Sequence, residues 1–304
     1  MQKLRVVVLD KMIDAKLTAL EVDMMIYLSR YQDDTGSIPG VYYRNVCTST
    51  GMSNQSFYNV LRSLTAKGLI SMKKNSPTDY DICILDNDCS NYKAIGQYVN
   101  TNQKMFYSDA FAKMKGTEKL LAIFFLLRCG ENHGGFRLDV EKFIEKLTEK
   151  FEIKKRMLIL YLKQVKEFFS IGRKDNKYYV HVKKATTERC SSENKRLNVY
   201  LVKAACRRLG IKDASNAEIN DTADLLSQYR KEIKKKNEET QNAPSIYDAI
   251  RGSLAVMDEP DNVGDSVENG AYRLRPKLVH KVLRTLLGLE HYREYMYSHV
   301  PAWD

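Results

Sequence analysis

The stretch VYYRNVCTSTGMSNQSFYNVLRSLTAKGLISMKK, residues 41–74, decides the fold. It reads as a short helix over 41–48, a tight turn at Ser49-Thr50-Gly51-Met52, and a second helix over 53–67. Ser53 offers its hydroxyl to the free amides at the start of that second helix. Gly68 can take the left-handed conformation that ends it. Phe57, Val60, Leu61 and Leu64 recur at helical spacing and face a core. Asn54, Gln55, Ser56, Tyr58, Asn59 and Arg62 are left pointing outward. Amides, hydroxyls and a guanidinium are the groups that pair with base edges in a major groove. Two helices joined by a glycine-containing turn, the second with a polar outer face, describe a helix-turn-helix.

Working outward, Ser71-Met72-Lys73-Lys74, a polar turn through Asn75-Ser76-Pro77-Thr78 and the alternating run 80–85 form a β-hairpin, or wing. The words T-G-M-S, L-R-S-L and K-G-L-I, in this order and spacing, resemble the winged helix-turn-helix of MarR-type and related bacterial regulators. The resemblance covers about residues 18–88. It implies a double-stranded DNA partner, with Asn54, Gln55, Ser56, Tyr58 and Asn59 reading bases. Arg62, Lys73 and Lys74 would then hold the backbone. Upstream, residues 3–9 read as a strand. Residues 18–31 read as a helix opened by Thr18 and Glu21 in a capping box.

The polar, Asn-rich stretch 86–104 reads as a linker, and beyond it the pattern returns. Helices are expected over 118–129, 139–150 and 154–169, and a second hairpin over 170–182 turning at Lys174-Asp175-Asn176-Lys177. Sliding the chain on itself by 101 residues puts Leu158 on Phe57, Leu162 on Leu61, Val165 on Leu64 and Ile171 on Ile70. An internal repeat of domain size is the simplest explanation. In the second copy Ile159 and Leu160 stand where the first has Tyr58 and Asn59. A helix apolar all round is normally buried, so this one is expected to make a domain or dimer contact rather than read bases. Its N-terminal Lys154, Lys155 and Arg156, with Lys163 and the hairpin's Arg173, Lys174 and Lys177, are candidates for phosphate contacts.

Charge is distributed unevenly. The 304 residues carry a formal charge of +11. Residues 1–90 hold ten basic and ten acidic side chains, residues 91–190 hold 21 against 11, and residues 191–304 hold 18 against 17. The excess that suits a polyanion therefore lies in the middle third. After residue 190 the chain reads as helical, over 193–209, 217–236 and 246–257. An acidic stretch follows over 258–270, then a final amphipathic segment over 273–299 with Leu278, Val282, Leu286, Leu289 and Tyr292 in a stripe. Lys234, Lys235 and Lys236 are expected to end a helix, where cations complement its dipole.

The expectation is thus a mainly α protein with small β-hairpin wings (α+β). Residues 1–90 would be a DNA-binding winged helix, 91–103 a linker, 104–187 a second, basic winged helix, and 188–304 a helical region whose apolar stripe packs in a core, a dimerisation surface being the lesser reading; a homodimer is the expected assembly. Six scattered cysteines without a C-x-x-C and five histidines without ligand spacing suggest a cytoplasmic protein with no metal or other cofactor. Phosphate-loop, dinucleotide, nucleophile-elbow and zinc-protease motifs are absent from the sequence, so no enzyme is expected. Neither a membrane span nor a small-molecule effector is evident. A sequence-specific transcriptional regulator is the first functional reading. The layout is also similar to that of plasmid replication initiators with tandem winged helices, which makes an initiator or replisome organiser of a mobile element the second. A protein-interaction module without specific DNA binding is the third.

Overall fold

The computed structural model describes residues 2–91, 96–189, 193–240, 244–257 and 273–289. The fold is mainly helical with small antiparallel sheets. The chain forms two compact units, Met1–Ser191 and Ser192–Asp304.

The first unit opens with β1 (Lys3–Arg5) and α1 (Val6–Asp14). The strand expected over 3–9 is therefore only three residues long. Val8, Leu9, Met12 and Ile13 are buried at helical spacing, and this packing overrides the β preference of the Val6-Val7-Val8 run. Next come α2 (Ala19–Tyr31), β2 (Ser37–Tyr42), α3 (Tyr43–Thr50), α4 (Asn54–Ala66), β3 (Ile70–Ser76) and β4 (Asp79–Ile84). Thr18 caps α2, and the capping box with Glu21 is formed as expected. The three strands make an antiparallel sheet in the order β2-β4-β3.

The stretch expected to be a linker is structured in part. β5 (Tyr98–Asn100) pairs antiparallel with β1, Leu4 opposite Val99. A 3-10 turn over Lys104–Tyr107 follows. Polar groups here satisfy the end of α2. The buried Ser29 hydroxyl bonds Thr101 Oγ1 at 3.0 Å, and the Arg30 guanidinium donates to the Phe106 carbonyl at 2.9 Å. It also lies 3.8 Å over the Tyr107 ring. Asparagine-rich composition suggested a free connector, but Thr101 is buried and bonded to α2.

After α5 (Asp109–Lys113) the first succession recurs: α6 (Gly116–Glu131), β6 (Gly135–Asp139), α7 (Val140–Lys150), α8 (Lys155–Val165), β7 (Phe169–Lys174) and β8 (Lys177–Val182). The sheet order β6-β8-β7 repeats that of the first copy. α8 ends short of the expected residue 169, because Phe169 opens β7 and is buried. Asp175 and Asn176, both with left-handed φ, make the two-residue turn between β7 and β8. A short α9 (Lys184–Thr187) closes the unit. Each copy has an aromatic centre. Phe57 meets the rings of Tyr43, Tyr58 and Tyr80, and Phe125 meets those of Phe136, Phe143 and Phe169.

The two copies are joined through their first helices. Lys119 of α6 is 0% exposed, and its ammonium lies 2.6 Å from each carboxylate oxygen of Asp23 on α2. Burial pushes the Asp23 carboxyl above its ordinary value, and the Lys119 ammonium only partly opposes that rise. At the start of α6, a Cβ on Gly116 would come within 2.2 Å of the Leu17 carbonyl oxygen. Only glycine lets the two helix starts approach so closely.

The second unit is a bundle of α10 (Glu193–Arg208), α11 (Asn216–Gln228), α12 (Arg230–Thr240), α13 (Ile246–Met257) and α14 (Pro276–Leu287). The helix expected over 217–236 is thus two, divided at Tyr229, whose hydroxyl lies 2.6 Å from Nε2 of His280. Lys234, Lys235 and Lys236 fall within α12 rather than at its end. Lys234 and Lys235 pair with Glu238 and Glu239 one turn on, which replaces the dipole explanation. In α14 the buried residues are Val279, Leu283 and Leu287. The expected stripe of Leu278, Val282 and Leu286 is displaced by one position, with Leu286 exposed. Residues 258–270 and Tyr292 lie outside the described residues.

Removing one member of a buried ion pair strands the other, whereas replacing both by apolar groups removes the desolvation cost. Lys119→Met should lower unfolding stability by about 3–5 kcal/mol. Adding Asp23→Leu should restore most of that loss. Urea titration of the two variants beside the wild type measures both effects.

Candidate nucleic-acid interface

α4 owes its orientation to contacts on three sides. At its start Ser53 Oγ accepts from the Ser56 amide at 3.1 Å. Before it, Gly51 ends α3 in the left-handed conformation, φ 71°, which turns the chain without a clash. At its far end Ser63 Oγ donates to Glu21 Oε1 at 2.5 Å, and Lys67 Nζ reaches the two Glu21 carboxylate oxygens at 2.7 and 2.8 Å. Burial alone pushes the Glu21 carboxyl up. The Lys67, Ser63 and Thr18 bonds together outweigh it and hold the group below its ordinary value. The same carboxylate therefore caps α2 and clamps α4.

Phe57, Val60, Leu61 and Leu64 are buried, as their spacing predicts. Asn54, Gln55, Asn59 and Arg62 are exposed, and Ser56 and Tyr58 are half-buried. Gln55 and Asn59 are one turn apart, and the Gln55 amide donates to Asn59 Oδ1 at 3.0 Å. Cys47 Sγ approaches Asn54 Oδ1 at 3.7 Å. The Tyr58 hydroxyl donates to the Pro77 carbonyl at 3.4 Å and so ties the helix to the hairpin turn. Lys73 and Lys74 are exposed on β3, opposite Asp81 and Tyr80 of β4.

Arg44 and Tyr43 belong to the same surface and were missed from the sequence. The Tyr43 ring stacks on that of Tyr58, with centroids 6.4 Å apart. The exposed Arg44 donates through Nε to the Tyr43 hydroxyl at 3.1 Å. Only the position of Arg44 in the first turn of the first helix of the motif could have signalled it.

In the second copy Leu158, Leu162 and Val165 are buried, and Lys154, Lys155, Arg156 and Lys163 are exposed. On the hairpin, Arg173 and Lys174 are exposed and Lys177 is half-buried. Ile159 and Leu160 are exposed, so among the described residues no other element covers this part of α8, and a domain contact within the chain is not made there. Its N-terminal turn holds no acid, so Lys155 and Arg156 sit where the helix dipole disfavours cations.

Among the described residues no group of three or more His, Cys, Asp or Glu side chains is placed to hold a metal. No helix among them is long and apolar enough to cross a membrane. Comparison with protein-family models, with curated proteins and with solved structures gives no match.

Proposed function

We propose that this protein binds double-stranded DNA with sequence specificity through two winged helix-turn-helix repeats, α4 entering the major groove. The observation that carries the proposal is the face of α4 that presents Asn54, Gln55, Asn59 and Arg62 to solvent. Its opposite face is buried on the core. Side-chain amides suit adenine, whose N6 and N7 present a donor and an acceptor together. Ser56 and Tyr58 lie at the edge of this face, where they reach bases or sugar. Arg62, Lys73 and Lys74 hold phosphates beside it, and the Tyr58–Pro77 bond keeps hairpin and helix in register.

The element order supports the same reading. Helix, strand, two helices and a hairpin succeed one another twice, which is the arrangement that the resemblance to MarR-type regulators implies. Phosphate attraction comes mostly from the second repeat, through Lys154, Lys155, Arg156, Lys163, Arg173, Lys174 and Lys177. Such contacts release counterions and make affinity fall with salt. Nothing in this scheme needs a catalytic group or a cofactor, so the protein is read as a binding protein.

Control of transcription is the use that the resemblance favours, and a homodimer would then place two copies on half-sites a helical turn apart. A replication initiator is the second reading. It is favoured by the packing of two repeats, one neutral and one basic, within one unit.

Selection of bound fragments from random duplex DNA tests the proposal. An enriched palindrome fits the regulator, repeats at regular spacing fit the initiator, and no enrichment would leave only an interaction module. Asn59→Ala or Gln55→Ala should lower discrimination at one base pair by about 1–3 kcal/mol without changing the unfolding midpoint. Unaltered site preference in both variants would remove α4 from base reading. Replacing Lys154, Lys155 and Arg156 by Ala should weaken all sequences about equally and flatten the salt dependence by roughly one unit of slope for each phosphate no longer neutralised. A salt titration with an unchanged slope would contradict those phosphate contacts.

A further inference from the structure

The offset of 101 residues that aligns the buried faces of α4 and α8 also aligns their outward faces. Asn54, Gln55, Tyr58, Asn59 and Arg62 of α4 correspond to Lys155, Arg156, Ile159, Leu160 and Lys163 of α8. The outward pattern amide, amide, Tyr, amide, cation has become cation, cation, Ile, Leu, cation. Ile159 is 43% exposed and Leu160 44%. Two large aliphatic side chains therefore face solvent within a ring of positive charge. No acidic residue occurs in α8, and the strand β7 that follows has none either.

That combination narrows the occupant. A second copy docking by the same face would set Lys155, Arg156 and Lys163 against their own equivalents, and like charges in apposition disfavour such contacts. A polyanion matches the ring of charge, but phosphates alone leave the aliphatic pair without a partner. The major groove supplies both. Its rims are phosphates, and its floor carries one apolar group, the C5-methyl of thymine.

Resting on the DNA-binding reading above, we propose that α8 is a second major-groove helix that recognises thymine methyl groups through Ile159 and Leu160. Lys155, Arg156 and Lys163 hold the flanking phosphates. The two repeats then read DNA by different chemistry. α4 reads hydrogen-bonding edges, and α8 reads apolar bumps. The composite site has an edge-read segment and a thymine-rich segment.

Uracil differs from thymine only in lacking the C5-methyl, so it isolates the proposed contact. On a duplex taken from the selection, thymines are replaced by uracil in short blocks, and affinity is measured for the wild type and for Ile159→Ala/Leu160→Ala. Both residues are exposed, so the double variant should keep its fold, which thermal unfolding checks. Uracil in one block should weaken the wild type about fourfold per contacted methyl, the equivalent of one buried methylene. The loss should be the same at low and high salt and should vanish in the double variant. Indifference of the wild type to uracil throughout the footprint would overturn the proposal, as would a uracil effect undiminished in the double variant. If uracil is silent while Asn59→Ala still relaxes site preference, only this inference falls. If the wild type prefers no sequence, the DNA-binding reading falls with it. Unchanged DNA affinity in the double variant, together with loss of a protein association, would assign the aliphatic pair to a protein partner and overturn the proposal.

Discussion

The buried contact of Lys119 with Asp23 governs how the first unit is built. An ammonium with no solvent exposure is tolerated only where a carboxylate meets it closely. Asp23 does so from the neighbouring helix, with both oxygens at 2.6 Å. The pair fixes α2 against α6, the helices on which each copy of the repeated pattern is assembled. Gly116 permits the close approach of the helix starts. Glu21, two residues before Asp23, then passes the constraint outward by clamping Ser63 and Lys67 at the far end of α4. One face of α2 thus holds the second copy and another sets the direction of α4. In the proposed binding mode α4 benefits from such rigid support, because discrimination between bases depends on hydrogen-bond geometry.

Charge and shape are divided between the copies. The first carries no net charge over residues 1–90, yet its α4 presents the varied polar face. The second carries an excess of ten positive charges over residues 91–190 and presents an aliphatic pair inside them. In the proposed scheme attraction comes mainly from one copy, and hydrogen-bond readout from the other. Long-range attraction without specificity increases the time spent on any DNA, and the first copy, neutral as a whole, adds little to that background.

The helix-turn-helix was legible in the sequence because local signals agreed there. Ser53, Gly51 and Gly68 mark boundaries, and Phe57, Leu61 and Leu64 mark the buried face, so helix and hairpin fell within two residues of their expected limits. The recurrence at an offset of 101 was legible for the same reason. Where tertiary contacts decide, the sequence was less informative. Val6-Val7-Val8 favours a strand by itself, but Leu9, Met12 and Ile13 draw it into a helix. Thr101 lies in a stretch with linker composition, and only its contact with α2 shows it as structural. The apolar run in α8 suggested a domain or dimer contact, and composition does not reveal which neighbours are present. In α14 a shift of one position exchanged Leu278, Val282 and Leu286 for Val279, Leu283 and Leu287, because both sets are apolar and only packing chooses between them.

The proposed binding mode rests on α4 lying in the major groove with Gln55 and Asn59 at base edges. Dimethyl sulfate methylates guanine N7 in the major groove and adenine N3 in the minor groove, so protection of a bound duplex reports which groove is occupied. Guanine N7 should be protected within the α4 segment of the site, and Gln55→Ala should diminish that protection. Full reactivity at N7 with protection confined to adenine N3 would contradict a major-groove α4.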